Sequence, residues 1–234
     1  MKAVLVGYGE VGKSLYEVFS EAHEIKITDP LLGKDADGTY EVMLVAIPYT
    51  NEFFEEIIGY KRAYKPNCTI VFSSVAVGTC RQLGAVHSPV EGVHPNLANS
   101  IRNSPRWIGG NDPIAERFFR EAGWLWKDLI TVDQPEWTEF LKLRSTSLYG
   151  LNIEFARYTK EVADRLKMPY YLATDYDKWY NQLYQDQEME RYRRYLLNPP
   201  KGDIGGHCVV PNARILDKQF PNLFLKEIYR KKEG

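Results

Sequence analysis

The sequence predicts an α/β fold: a parallel-sheet domain over residues 1–132, followed by an all-helical domain over 133–234. Three observations predict it. Short β-branched runs alternate with helical patterns through the first half, the signature of βαβ units with right-handed crossovers. After Asp133 no strand pattern recurs, and apolar residues step by three, four or seven instead. Hydrophobic residues make up 44% of the 234 and charged residues 26%, close to the globular average, so disordered and fibrous classes drop out.

The elements follow in order. Ala3-Val4-Leu5-Val6 is a continuous apolar run of the kind buried on both faces of a parallel sheet. Val11, Leu15, Val18 and Phe19 then recur at helical spacing. Residues 25–27, 42–47 and 69–72 read as the second, third and fourth strands. Shorter strands are expected near 83–87, 107–108 and 129–132, with a helix over 113–122. Asp133-Gln134-Pro135-Glu136 has the form of a capping box with proline in the first turn, a helix start. From there to Lys167 only Gly150 interrupts the pattern, which makes roughly 50 Å of helix at 1.5 Å per residue. Met168-Pro169 ends it. A second helix is expected over 175–197, closed by Pro199-Pro200, and a glycine-rich turn over 201–206 leads to a short tail.

Thirty basic against 31 acidic residues leave a formal charge of −1, with no electrostatic footprint for a nucleic-acid backbone. The tyrosines between 170 and 195 are interleaved with Arg191, Arg193 and Arg194. Asp175, Asp177, Asp186, Glu188 and Glu190 cancel that field, so packing or a subunit interface is the reading. Cys68, Cys80 and Cys208 are too few and too scattered for a disulfide framework or a zinc site. His87, His94 and His207 do not share metal-ligand spacing, and no metal is expected. His94-Pro95-Asn96 reads as a hydrogen-bonded loop. No apolar run approaches the ~20 residues that span a bilayer. The N-terminus shows no signal segment, so a cytoplasmic location is expected.

Gly7-Tyr8-Gly9-Glu10-Val11-Gly12-Lys13-Ser14 satisfies both the dinucleotide fingerprint G-x-G-x-x-G and the P-loop pattern. Context separates them. A P-loop enzyme needs a later strand ending in aspartate to hold magnesium, whereas the third and fourth strands end in Ile47-Pro48 and Ser73-Ser74. A dinucleotide fold needs an acid at the tip of the second strand for the ribose hydroxyls, and Asp29 stands there, 17 residues after Gly12. The first half therefore reads as a Rossmann-type domain. Gly7 makes the tight turn, Gly9 admits the pyrophosphate, Gly12 lets helix and strand pack, and Glu10 and Val11 present the helix N-terminus. Asp29 argues for NAD over NADP, because a carboxylate repels a 2′-phosphate. Ile47, Pro48, Ser73 and Ser74 lie where an α/β sheet opens to ligand and are expected beside the cofactor.

Four further segments share an order. Ser73-Ser74-Val75-Ala76-Val77-Gly78-Thr79 resembles the S-T-V-P-x-G-T stretch of the nucleotide-sugar 6-dehydrogenases, of the UDP-glucose and UDP-N-acetylmannosamine type. Ser88-Pro89-Val90-Glu91-Gly92 with Pro105-Arg106-Trp107-Ile108-Gly109-Gly110 resembles that family's S-P-E-x-x-x-E-G and P-x-R-x-x-x-G-G stretch in compressed form. Glu139-Phe140-Leu141-Lys142, then Asn152-Ile153-Glu154-Phe155, is similar to its central helix. Gly205-Gly206-His207-Cys208-Val209-Val210-Pro211 resembles its G-G-x-C-x-P motif. The wider grouping is the 6-phosphogluconate dehydrogenase-like superfamily. Thr146 stands where the family has an asparagine four residues after the lysine; threonine donates a hydrogen bond but does not reproduce a carboxamide. The chain stops soon after the G-G-x-C-x-P stretch, so the resemblance implies a dehydrogenase core without the family's C-terminal nucleotide-binding domain.

The resemblance implies roles. Cys208 is the expected nucleophile, attacking an aldehyde intermediate in a four-electron oxidation of an alcohol to an acid, close to the nicotinamide end of the cofactor and to Lys142. Lys142 is the expected acid/base or alkoxide-stabilising group, Glu91 a base for water or a hydroxyl, and Thr146 an assisting donor. Cys68 and Cys80 read as buried small hydrophobes. The expected function is an NAD-dependent oxidoreductase acting on an alcohol of a sugar-like or hydroxyacid small-molecule substrate. A two-electron hydroxyacid dehydrogenase and a catalytically silent dinucleotide-binding regulatory protein are the alternatives. The resemblance also implies a homodimer built on the 133–167 helix.

Overall fold

The computed structural model describes residues 1–93, 95–202, 204 and 208–230. The chain divides into two compact units, Met1–Lys142 and Leu143–Gly234. The division falls inside the long helix, ten residues beyond the boundary that the change of sequence character suggests, because the helix's first turns pack on the sheet.

The first unit is built on a seven-stranded sheet in the order β2-β1-β3-β4-β5-β6-β7. Its strands are β1 (Lys2–Val6), β2 (Glu24–Thr28), β3 (Val42–Val45), β4 (Cys68–Val71), β5 (Val86–His87), β6 (Arg106–Gly109) and β7 (Leu129–Val132). β1 to β5 are mutually parallel, β6 turns antiparallel to β5, and β7 runs parallel to β6. Every residue of β3 and β4 is buried, as continuous apolar strands in a two-faced sheet require. Side chains alternate between two cores: Ala3 and Leu5 with Phe19, Ile70 and Phe118 on one face, Val4 and Val6 with Phe53, Ile57 and Val71 on the other.

The connecting helices are α1 (Glu10–Phe19), α2 (Phe53–Tyr64), α3 (Thr79–Leu83), α4 (Leu97–Asn103) and α5 (Pro113–Glu121). α5 starts as Pro at the first position predicts, with Asp112 Oδ1 accepting from the Ile114 and Ala115 N–H groups. The strand expected over 83–87 is corrected. Residue 83 ends α3, Gly84 turns the chain at φ +57°, and only Val86–His87 pairs.

The long helix α6 runs Pro135–Arg165 without interruption. The expected capping box is not formed. Asp133 accepts from the Asn111 side chain, and Glu136 pairs with Arg81, so neither carboxylate serves as cap. In the second unit α6 is followed by α7 (Tyr171–Gln185), α8 (Val209–Gln219) and α9 (Leu223–Tyr229). Gly150 is a packing requirement rather than a break: a Cβ there would lie 2.8 Å from Val209 Cγ1 and 2.9 Å from Ile228 Cγ2. The helix expected over 175–197 is corrected to one that stops at Gln185. Glu188 turns at φ +55°, and the chain doubles back so that the Asn181 carboxamide brackets the Arg194 backbone, accepting at 2.6 Å and donating at 3.0 Å. Arg194 lies 3.8 Å from the Tyr180 ring centroid, so part of the aromatic run is consumed in local cation–π packing. Among the described residues no helix is long and apolar enough to cross a membrane.

Candidate functional site

β1 delivers the chain to the glycine loop, and each glycine there answers to a different constraint. Gly7 sits at φ +92°, where a Cβ would lie 2.5 Å from the Ala46 carbonyl oxygen. A Cβ on Gly12 would lie 2.1 Å from the Gly7 carbonyl oxygen. Gly9, the residue preceding α1, differs: a Cβ there would meet nothing within 4 Å. The loop is therefore closed on its protein side and open at the positive end of α1, where Glu10 and Val11 begin the helix. Lys13 N–H donates to the Gly9 carbonyl and the Ser14 hydroxyl to the Glu10 carbonyl, ordinary helix contacts.

Asp29 follows β2 and ties that strand to the loop. Its Oδ2 accepts from the Tyr8 N–H at 2.7 Å and its Oδ1 from the Leu31 N–H at 3.1 Å, capping a 3-10 turn over Pro30–Leu32. An ionised carboxylate has about four acceptor positions, so capacity remains for ribose hydroxyls beside the loop. An open glycine at a helix N-terminus with an acid anchored next to it fits the dinucleotide group.

At the carboxyl edge of the sheet the Ser73 hydroxyl donates to the Ile47 carbonyl at 2.7 Å, joining the ends of β3 and β4. Its proton is thus held within the protein. Ser74 and Ile47 are half-buried and Pro48 is exposed along the same edge. Behind this edge sits a buried polar group that sequence reasoning missed. His87 is fully buried; its Nε2 lies 3.2 Å from the Ser73 carbonyl oxygen and its Nδ1 2.9 Å from Thr138 Oγ1. A carbonyl only accepts, so the ring proton sits on Nε2 and Thr138 donates to Nδ1. Burial pushes the His87 pKa down to about 3, so the ring is neutral.

Glu139 is the second such group. Its carboxylate, fully buried, accepts from the Gly78 N–H at 2.6 Å and the Cys80 N–H at 2.7 Å, fixing the start of α3 and hence the loop after β4. Burial raises its pKa against the opposing pull of those donors. The only sequence signal for it was its place in the quoted 139–142 segment. Cys68 and Cys80 are buried with their thiols pushed up by desolvation, in keeping with small hydrophobes.

Lys142 and Glu91 come together in the first unit. Lys142 Nζ donates to the Val90 carbonyl at 2.6 Å and stands 3.3 Å from Glu91 Oε2, the lysine side chain 12% exposed and the glutamate 54%. The ammonium is thus held at the residues following β5 rather than snorkelling into solvent. Arg106, the first residue of β6, is 1% exposed, and its Nε and Nη1 have no hydrogen-bond partner among the described residues.

In the second unit Thr146 is buried; its hydroxyl donates to the Leu143 carbonyl at 3.1 Å and accepts from Asn212 Nδ2 at 3.0 Å. A carboxamide is therefore beside position 146 after all, supplied by α8 rather than by α6. Cys208 is exposed, at the N-cap position of α8, and not in an apolar core. Gly205, Gly206, His207 and His94 lie outside the described residues.

No protein-family model matches the chain, and no curated protein matches it. Solved structures do. A UDP-D-ManNAc dehydrogenase from Pyrococcus horikoshii matches with a TM-score of 0.71 at 16% identity, covering 98% of this chain and 66% of that one. A UDP-glucose dehydrogenase from Pyrobaculum islandicum matches at 0.70 and 15% identity, covering 98% and 67%. The Mycobacterium tuberculosis 3-hydroxyisobutyrate dehydrogenase matches at 0.68 and 11% identity, covering 97% and 90%. The chain spans about two thirds of the length of the two UDP-sugar dehydrogenase structures. Across nearly all of its residues, then, this chain has the Rossmann-type dehydrogenase fold that UDP-sugar dehydrogenases and 3-hydroxyisobutyrate dehydrogenase share.

Proposed function

We propose that the protein is an NAD-dependent oxidoreductase acting on a CH–OH group of a sugar-like or hydroxyacid substrate. The observation that carries this reading is the glycine loop. Gly7 and Gly12 are filled by protein, Gly9 opens on free space at the α1 N-terminus, and Asp29 is anchored to Tyr8 beside it. Gly7, Gly9, Glu10, Val11, Gly12 and Asp29 hold the dinucleotide, with Ile47, Pro48, Ser73 and Ser74 along the edge that it crosses. When bound, NAD supplies the hydride acceptor. Lys142, fixed on the Val90 carbonyl and paired with Glu91, takes up or returns the hydroxyl proton and stabilises the developing alkoxide. The Thr146 hydroxyl gives its proton to the Leu143 carbonyl and accepts from Asn212, so its part is to orient that carboxamide rather than to donate to the substrate. Cys208, exposed at the start of α8, is the nucleophile of a second oxidation to the acid.

Calorimetry with NADH and NADPH on the wild type and Asp29→Ala tests the cofactor assignment. NADH is expected to bind tighter, and Asp29→Ala to remove that preference; equal wild-type affinities would sink the role of Asp29. Two NADH formed per substrate, falling to one in Cys208→Ser, is expected for the four-electron route. One NADH in both proteins would leave the two-electron hydroxyacid reading, which the burial of Lys142 next to Glu91 favours independently of the cysteine. Binding of NADH with no turnover on any alcohol tried would favour a silent dinucleotide-binding protein. A homodimer through α6 is also proposed, supported by the exposure of Phe155 and Tyr158 on that helix.

A further inference from the structure

Arg106 is the one guanidinium among the described residues that is buried with unpartnered donors. Nε and Nη1 carry three of the five N–H groups of an arginine, and buried donors without acceptors are rare in native folds. β6 runs antiparallel to β5, with His87 opposite Gly109, so its first residue stands at the edge where β5 ends. That is the edge at which α/β sheets take ligands. Strand alternation puts Arg106 on the same face as Ile108, which belongs to the core that also holds the α1 side chains Leu15 and Phe19. Glu91 is the carboxylate whose charge acts on the guanidinium, and it is already paired with Lys142 at 3.3 Å. Desolvation lowers the Arg106 pKa to about 10, so the group is cationic at neutral pH. Among the described residues, Arg106 is therefore a cation, and the carboxylate that acts on it, Glu91, is already shared with Lys142.

Resting on the dehydrogenase reading, we propose that Arg106 binds the carboxylate of the substrate, which makes that substrate a hydroxy acid with one free carboxylate. A planar guanidinium with Nε and Nη1 unpartnered matches two carboxylate oxygens. Glu91, Gly92 and Val93, which follow β5 along the chain, are exposed. In the absence of ligand the arginine is a buried charge held at a cost to stability, the usual condition of a group retained for binding.

The test is titration calorimetry of the full chain, with and without saturating NADH, using lactate, lactamide and inorganic phosphate as probes. Wild type, Arg106→Met and Arg106→Lys are compared, and melting temperatures are recorded without ligand. Lactate is expected to bind the wild type at least tenfold tighter than lactamide, and tighter than phosphate. Arg106→Met should weaken lactate at least tenfold and Arg106→Lys by less, with NADH affinity unchanged within twofold. Arg106→Met should also melt at or above the wild-type temperature, because it removes an unpaired buried charge without opening a cavity. Lactate binding that is absent in the wild type, or unaltered in Arg106→Met, overturns the proposal. So does phosphate binding tighter than lactate, or a melting temperature for Arg106→Met well below wild type. Failure of the wild type to bind NADH overturns the dehydrogenase reading instead, and the titrations without NADH still decide on Arg106.

Discussion

Glu139 Oε2 accepts a hydrogen bond from the Gly78 backbone N–H at 2.6 Å, across 61 positions of sequence. Its other oxygen takes the Cys80 N–H at 2.7 Å. One buried carboxylate on the second turn of α6 thereby fixes the loop that carries Ser73 and Ser74 at the sheet edge. Glu139→Gln keeps the shape but can accept at one position only, leaving a buried N–H facing an NH2 group. A loss of about 2 kcal/mol in unfolding free energy is expected, read by urea denaturation. A variant as stable as wild type would show that the carboxylate does not hold α3.

The glycines of the loop separate folding from binding. Gly12→Ala places a Cβ 2.1 Å from the Gly7 carbonyl oxygen and should cost roughly 3 kcal/mol of stability. Gly9→Ala meets nothing in the protein and should fold normally, yet bind NADH at least tenfold more weakly, because its methyl group would enter the open space where the proposed function puts the pyrophosphate. Unfolding curves and calorimetry on the same two variants check both expectations. Undiminished NADH binding by Gly9→Ala would remove the cofactor from this loop.

His87 makes the protein sensitive to acid. Its folded-state pKa of about 3 lies below the unfolded value, so between roughly pH 6.5 and 3 the unfolded chain binds a proton that the native chain refuses. The stabilisation is complete above pH 6.5 and is lost as pH falls through that window, by up to about 1.4 kcal/mol per pH unit. His23, also lowered by burial, acts in the same direction. Stability measured from pH 7 to 4.5 should fall steeply in the wild type and less steeply in His87→Asn. Parallel curves would exclude His87 as the source.

On α6, Phe155 is 69% exposed and Tyr158 58%. Phe155→Asp is expected to convert a dimer to a monomer in light scattering, with little effect on the stability of the monomer's fold. A wild type that is already monomeric at micromolar concentration would end the homodimer proposal.

The parallel strands β1 to β4, α1, α5 and the long helix were legible in the sequence, because each is specified by local pattern: unbroken apolar runs, helical spacing, and Asp112-Pro113 at a helix start. The glycine loop was legible for the same reason, since its constraints act within a few residues of backbone. Where distant partners compete for a side chain, local reading failed. Asp133 and Glu136 have the form of a capping box, but Asn111 and Arg81 take their carboxylates. Gly150 looks like a helix break until Val209 and Ile228 pack against its bare backbone. Periodicity carried a helix to residue 197, whereas the chain turns at Glu188 to close on Asn181. The buried polar groups at the sheet edge, His87, Glu139 and Arg106, belong to the same class. Nothing in their immediate neighbours marks them, because burial and hydrogen-bond partners are set by residues 14 to 61 positions away for His87 and Glu139, and for Arg106 by the enclosure that tertiary packing makes. Sequence by itself determined the parallel strands β1 to β4 and where the glycine loop begins. Only the tertiary structure decided which charges are paired, which are buried, and which donor is left open, since desolvation and long-range pairing arise when the elements meet.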